Sequence, residues 1–218
     1  MYIQLTERCN MLCDHCCFAC TSKGRDMDFE VFQKALFTAF DVYEEWVHIT
    51  LGGGEPTLWK HFKQMIDWFN MNVPLFDDIE SLSMITNGTR KGNTFKFIKF
   101  KKYMDDVYDD TGKIVIMLSA KDGYHEDHKI HPDVYEYFYS NAETGWSSGV
   151  SFRAVNKIVR SGRAKSFGTL DFCACPEIFV KPDGLIKHCG CLDAPVIGSV
   201  FDPILDYSDF PCYKEKNA

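Results

Sequence analysis

The sequence contains no apolar run that approaches the ~18 residues needed for a membrane-spanning helix. Before Cys9 it also lacks the basic segment and following apolar run that are typical of a secretory signal. Both absences favour a cytoplasmic protein without a membrane partner, in which cysteine thiols stay reduced and available to iron.

Positive charge is scarce as well. The chain has 24 Lys and Arg against 31 Asp and Glu, which gives a formal net charge of −7. Such a chain has no general attraction to nucleic-acid phosphate or anionic lipid, so a nucleic-acid partner is not expected. One local group of lysines is interpreted as a solvated helix face because of its helical spacing: Lys96, Lys99, Lys101 and Lys102.

The cysteines are too sparse for a small disulfide framework, since there are ten in 218 residues. A chain of this length buries roughly 70% of the surface that its unfolded form exposes, so its fold does not depend on covalent cross-links. The cysteines are therefore candidates for metal chemistry.

Three of them, Cys9, Cys13 and Cys16, are spaced as C-x3-C-x2-C in a predicted loop. Three thiolates in so short a loop can converge on one iron–sulfur cluster. A cluster that only transfers electrons is closed by four cysteines, whereas three leave one iron open to a small molecule. The loop is therefore predicted to be a site of chemistry.

Zinc is the alternative for this loop, because Cys13-x2-Cys16 and Cys17-x2-Cys20 provide four thiolates for one tetrahedral ion. We interpret Cys17 and Cys20 instead as ordinary buried thiols, since unpaired cysteine is among the most buried residue types.

Strand and helix patterns alternate along the chain. The strand patterns are short apolar or β-branched runs, and the helical patterns repeat every three or four residues. Their order predicts an α/β fold of parallel βαβ units that close towards a barrel. The predicted strands are residues 2–6, 47–51, 82–86, 114–118 and 150–155, and the helices lie within residues 29–43, 58–69, 95–103 and 134–139.

The predicted strands end in glycine or polar residues. In a parallel barrel the chemistry lies at the carboxyl ends of the strands. The second strand runs into Gly53-Gly54-Glu55, the third ends in Thr86-Asn87-Gly88, and Ser119 follows the fourth, with Tyr124 and His125 shortly after it. Taken alone, each of these segments indicates only a turn. Their order after a three-cysteine loop is what makes the pattern specific.

With these motifs, roughly the first 165 residues resemble the radical S-adenosylmethionine (SAM) enzymes. The resemblance implies that the 4Fe–4S cluster on Cys9, Cys13 and Cys16 binds SAM through its open iron. An electron from the cluster then splits SAM into methionine and a 5'-deoxyadenosyl radical, which abstracts a hydrogen atom. His15 corresponds to the ring side chain that precedes the last cysteine of the family's loop.

The same resemblance assigns further residues to SAM. Glu55, with Gly53 and Gly54, matches the GGE motif that holds the SAM amino group. Thr86 and Asn87 match a T-N-G motif, and Ser119 matches a residue that contacts the ribose or carboxylate. Arg163, in a G-R-A segment, is a candidate partner of the SAM carboxylate, with a surface arginine as the alternative. Tyr124 and His125 are candidates to face the substrate.

The barrel is predicted to be shortened. Most of the family complete six βα units, whereas this sequence shows five strand patterns, with room between Ser119 and Gly162 for about one strand and one helix where about two of each are usual. We therefore expect a partial barrel of five to six units over residues 1–168, open on one side, where a large substrate can enter.

Residues 169–218 form a cysteine-rich extension. Its predicted hairpin, residues 178–181 and 185–188, turns at Pro182-Asp183-Gly184. The extension resembles the SPASM and shorter twitch extensions, which bind an auxiliary 4Fe–4S cluster. The resemblance favours Cys173, Cys189, Cys191 and Cys212 as ligands with Cys175 in reserve, and a zinc knuckle is the alternative.

The resemblance implies an oxidoreductase-type radical SAM enzyme that modifies a peptide or protein side chain. Its electron donor would be a flavodoxin or a ferredoxin. A small-molecule substrate is the alternative, and a glycyl-radical activase is disfavoured because the eight-cysteine insert of those enzymes is missing. From another class, the alternative is a zinc-stabilised interaction module without turnover.

Overall fold

The computed structural model describes residues 1–43, 46–120, 123–142, 148–153, 158, 161–166, 168, 178–192 and 194–202. The strands are β1 (Tyr2–Thr6), β2 (Val47–Gly53), β3 (Ile79–Thr86), β4 (Ile114–Ser119), β5 (Val150–Arg153), β6 (Phe179–Val180), β7 (Leu185–Lys187) and β8 (Val196–Ser199). The α-helices are α1 (Phe29–Val42), α2 (Phe62–Met71), α3 (Lys91–Tyr108) and α4 (Pro132–Asn141). Within these ranges no helix is long and apolar enough to span a membrane.

The strands form one sheet in the order β5-β4-β3-β2-β1-β6-β7-β8. The strands from β5 to β6 in this order pair in parallel, whereas β7 pairs antiparallel with both β6 and β8. Strand β4 is nearly all apolar because parallel strands are covered on both faces. The predicted α/β fold, a partial parallel barrel, is confirmed.

The extension joins this sheet at the edge opposite to β5. Strand β6 pairs in parallel with β1, with Tyr2 opposite Phe179 and Ile3 opposite Val180. The predicted hairpin turn is confirmed between β6 and β7, where Gly184 has a φ of +82° that favours glycine. Strand β8, which pairs with β7, was not predicted.

The apolar faces of the helices pack on the sheet and form the hydrophobic core with it. Phe32 of α1 and Phe69 of α2 are fully buried, and their rings meet edge to face at 5.9 Å. Phe69 also stacks on Phe100 of α3 at 5.5 Å. The aromatic residues of these helices therefore supply apolar area and ring contacts to the core, as expected from their spacing.

Lys101 departs from the predicted solvated face of α3. Its side chain is only 3% exposed, and its Nζ lies 2.6 Å from Asp105 Oδ2. Nζ also donates to the carbonyl of Thr111 at 3.2 Å. Burial raises the pKa of the Asp105 carboxyl, and the lysine opposes this shift. Lys101 lies four residues after Phe97 and three before Met104, which are both buried, so it belongs to the packed side of α3 and not to the exposed lysine face.

We predict that Lys101→Ala lowers the free energy of unfolding by roughly 3 kcal/mol, because it leaves the Asp105 carboxylate largely buried without its cation. Urea denaturation measures the effect. Lys102→Ala, at an exposed neighbouring position, is the control and should change stability by less than about 0.5 kcal/mol. Equal small effects in both variants would contradict the structural role of Lys101.

Candidate active site

A pocket of about 310 Å³ lies at the carboxyl ends of the parallel strands. This is the edge at which parallel barrels place their chemistry. It is lined by Tyr2, Cys9, Met11, Cys13, His15, Cys16, Cys17, Phe18, Cys20, Gly53, Gly54, Ile85, Thr86, Asn87, Ser119, His125, Arg153, Ile158 and Arg163. The structure thus brings together most of the residues that the sequence predicted for the site.

The cluster loop, residues 9–20, connects β1 to the segment before α1. Its turns are held by backbone hydrogen bonds from Cys9 N–H to Thr21 O at 2.8 Å and from Cys16 N–H to Cys13 O at 3.2 Å. Cys13 is buried, whereas Cys9 and Cys16 are half-buried. All three line the same pocket, so the donors present fit a cluster with three cysteine ligands.

No three His, Cys, Asp or Glu side chains within the described ranges are grouped to hold a single metal ion. A cluster of several irons does not require that arrangement, because each thiolate binds a different iron.

The thiols of the loop differ in acidity. Burial raises the pKa of Cys9 to about 11 and that of Cys17 to about 12. The pKa of Cys16 is lowered instead, because the thiol of Cys20 donates a hydrogen bond to its sulfur. The positive charge of Arg163 acts in the same direction. Ligation by iron therefore displaces protons from the buried thiols, since thiolates are the ligands.

Cys17 and Cys20 also line the pocket, although the sequence suggested only ordinary buried thiols. Cys20 is 2% exposed, and its sulfur accepts a weak hydrogen bond from Gln4 Nε2 at 3.8 Å. The pocket wall thus contains five cysteines, three of which match the spacing of the cluster loop.

Ring side chains form the wall at His15. The His15 ring meets His125 edge to face with centroids 4.5 Å apart, and it lies 5.6 Å from Tyr124. Tyr124 is 44% exposed. The loop that carries these residues also contacts the cluster loop, because Glu126 Oε2 accepts from Leu12 N–H at 2.8 Å. Contact of Tyr124 or His125 with substrate stays a prediction.

Glu55 lies behind the pocket and is fully buried. One carboxylate oxygen accepts from Thr57 N–H at 3.1 Å, from the Thr57 hydroxyl and from the Thr86 hydroxyl at 2.7 Å. The other accepts from Asn87 N–H at 2.6 Å. Burial raises the pKa of the carboxyl, and these donors oppose the shift.

A carboxylate oxygen offers about two lone-pair sites, so three donors share Oε1, whereas Asn87 N–H uses one of the two sites on Oε2. The sequence assigned the SAM amino group to Glu55, and that assignment stays a prediction. In the structure Gly53 and Gly54 line the pocket, while the Glu55 carboxylate joins the ends of β2 and β3.

Arg163 reaches the cluster loop from a short 3-10 helix. Its Nε donates to Cys13 O at 2.9 Å and its Nη1 to Cys20 O at 2.6 Å. Gly162 precedes it with a φ of +58°, and a Cβ there would lie 2.4 Å from the carbonyl oxygens of Cys16 and Cys17. The G-R-A segment therefore holds the cluster loop, and Arg163 is not an isolated surface arginine. Pairing of Arg163 with SAM stays a prediction.

Arg153 is a site residue that the sequence reasoning missed. It is the last residue of β5 and lines the pocket. The predicted strand, residues 150–155, contained Arg153, but its pattern gave no reason to direct this side chain to the site. A charged residue near the end of a predicted barrel strand was the signal that could have identified it.

The tail loop, residues 189–192, packs against the cluster loop. Leu192 N–H donates to Ser161 Oγ at 3.0 Å, and Ser161 Oγ donates to Cys17 O at 3.3 Å. A Cβ on Gly190 would lie 2.7 Å from the Phe18 ring. Cys189 and Cys191 are both buried, while Cys173, Cys175 and Cys212 lie outside the described residues.

We predict that Glu55→Gln lowers the free energy of unfolding by about 1–3 kcal/mol, because the new amide N–H₂ faces at least one backbone or hydroxyl donor. Chemical denaturation measures the loss. Glu80→Gln, at an exposed position on β3, is the matched control and should leave stability almost unchanged. A variant as stable as the wild type would show that the four donors do not require a carboxylate.

A radical SAM superfamily model matches residues 3–135, and no curated protein sequence matches. Among solved structures, anSMEcpe with bound AdoMet is 14% identical over 99% of this chain and 82% of that chain, with a TM-score of 0.46. SuiB of Streptococcus suis bound to S-adenosylmethionine is 13% identical over 100% and 67%, with a TM-score of 0.42. Because the family model spans more than half of the chain, the protein belongs to the radical SAM superfamily.

Proposed function

We propose that this radical SAM enzyme abstracts a hydrogen atom from a peptide or protein side chain. The observation that carries the proposal is that Cys9, Cys13 and Cys16 line one pocket with the Gly53-Gly54 backbone at the strand ends. When bound, the 4Fe–4S cluster and SAM supply the electron and the 5'-deoxyadenosyl radical.

The residues of the chain position these groups. The three thiolates hold the cluster and leave one iron open. A Cβ on Gly54 would lie 2.1 Å from the carbonyl oxygen of Arg8, so glycine lets the segment after β2 lie against the residue that precedes Cys9, and the proposed SAM site runs along this backbone. Arg153 joins Arg163 as a proposed partner of the SAM carboxylate, because both line the pocket and two of the Arg163 nitrogens already donate to backbone carbonyls. Thr86, Ser119 and His15 complete the proposed SAM contacts.

The substrate assignment rests on the extension. Its cysteine spacing and hairpin resemble SPASM and twitch extensions, which favours a peptide or protein over a small molecule. We also propose a flavodoxin or ferredoxin as electron donor and the cytoplasm as the compartment, because the cluster requires a low-potential donor and reduced thiols.

Residues 169–218 are the proposed auxiliary-cluster extension. Cys189 and Cys191 are buried beside the cluster loop, where their thiols are shielded from solvent. With Cys173 and Cys212, or Cys175 in reserve, they provide four thiolates for one more cluster. Lys187, 5% exposed, donates from its Nζ to the carbonyls of Cys191 and Leu192 at 2.5 and 2.9 Å and thereby holds the backbone of the tail loop.

Replacing Cys9, Cys13 and Cys16 together with alanine should abolish formation of 5'-deoxyadenosine from SAM under a low-potential reductant, because no thiolate of the motif remains to hold the cluster. Chromatography of anaerobic reactions measures the product. Cys17→Ala is the control and should keep the cleavage, because Cys17 lines the same pocket outside the three-cysteine spacing. Undiminished cleavage by the triple variant would overturn the proposed cluster site.

The extension is tested by Cys189→Ala. If it holds a second cluster, iron should fall from about eight to about four atoms per chain while SAM cleavage persists and product formation declines. A zinc site predicts about four irons and one zinc in the wild type, with zinc lost in the variant. Iron and zinc analysis beside the cleavage assay separates the two. About four irons in both proteins would contradict the auxiliary cluster.

A further inference from the structure

The side chain of Asn87 reaches the first cysteine of the cluster loop. Its Nδ2 lies 3.7 Å from Cys9 Sγ and 3.0 Å from Asn10 Oδ1. An amide nitrogen carries two hydrogens, so it donates one to each acceptor. The Cys9 sulfur also accepts from Met11 N–H at 3.4 Å.

The orientation of the Asn87 amide follows from its neighbours. Asn87 Oδ1 accepts from Thr89 N–H at 3.1 Å and from the Thr89 hydroxyl at 2.8 Å. A backbone N–H only donates, so the oxygen of the amide must face Thr89 and the nitrogen must face Cys9. The assignment of a donor to the sulfur therefore does not depend on an arbitrary choice of amide flip.

Asn87 is also held through its backbone. Its N–H donates to the buried Glu55 carboxylate at 2.6 Å, and the residue is 7% exposed. Thr86, its neighbour, donates to the same carboxylate. The side chain consequently has little freedom to leave the sulfur, and its hydrogen bond acts in a partly desolvated place, where such bonds are stronger than in water.

We propose that Asn87 is a positioning residue that orients the Cys9 ligand and raises the reduction potential of the SAM-binding cluster. Hydrogen bonds to ligand sulfurs are among the factors that set cluster potentials. Reduction adds negative charge to the cluster and its thiolates, and a donor to sulfur stabilises that charge. This inference rests on the proposed cluster site at Cys9, Cys13 and Cys16.

The test is Asn87→Asp, which keeps the shape and the oxygen that faces Thr89 but replaces the donor to sulfur with a carboxylate oxygen. The midpoint potential of the anaerobically reconstituted cluster, from a redox titration followed by electron paramagnetic resonance (EPR), should shift to more negative values. Asn87→Ala should shift it in the same direction by a smaller amount, because it removes the donor without adding charge.

Asn141→Asp is the matched control. Asn141 Nδ2 donates to the Tyr137 carbonyl at 2.7 Å at the carboxyl end of α4, away from the strand ends that form the pocket. The Asn141→Asp substitution introduces the same charge and should leave the midpoint potential of the cluster at the wild-type value. A purely structural role of Asn87 would lower the iron content and leave the potential of the remaining clusters unchanged, and that result would overturn the proposal.

A second measurement does not require a stable variant. Wild-type protein labelled with ¹⁵N at the asparagine side chains should show ¹⁵N coupling to the reduced cluster in pulsed EPR. An intact cluster signal without this coupling overturns the role of Asn87 and leaves the proposed function standing. Wild-type protein without any cluster signal after reconstitution overturns the proposed function itself, and this inference with it.

Discussion

The site depends on one buried carboxylate. Glu55 receives four donors from Thr57, Thr86 and Asn87, and it thereby joins the end of β2 to the end of β3. Burial disfavours its charge, and the donors compensate for the lost water. Because the backbone N–H of Asn87 donates to this carboxylate and its side chain contacts Cys9, Glu55 helps to fix Asn87 against the first cysteine of the proposed cluster site.

The cluster loop is held mainly by partners distant in sequence. Arg163 binds two of its carbonyls, Ser161 binds a third, and Glu126 receives the N–H of Leu12. These contacts satisfy backbone groups that a loop without regular secondary structure cannot pair internally. They leave the three cysteine side chains directed towards the pocket. A loop so held has less conformational entropy to lose when iron binds.

Local patterns predicted the strands, helices and hairpin because alternation, helical spacing and turn residues act over a few neighbours. They did not predict that β6 pairs with β1, since strand pairing is decided by distant packing. They identified Lys101 by its charge and Glu55 by its motif. They did not predict that either side chain is buried, because burial depends on what packs against each residue. Arg153 was missed because the apolar pattern of a strand does not show which of its polar side chains reach the pocket.

The pairing of β6 with β1 changes how the two groups of cysteines relate. The two groups of cysteines lie at opposite ends of the sequence, which alone suggests independent sites. In the fold, however, β1 leads directly into the cluster loop, and its partner β6 begins the hairpin that leads into the tail loop. The hydrogen bonds through Ser161 then join the two loops. A metal bound by the tail would therefore influence the position of the Cys17 backbone, which follows Cys16, the last cysteine of the three-cysteine motif. The described part of the extension consequently forms part of the wall behind the cluster loop, with or without a bound metal.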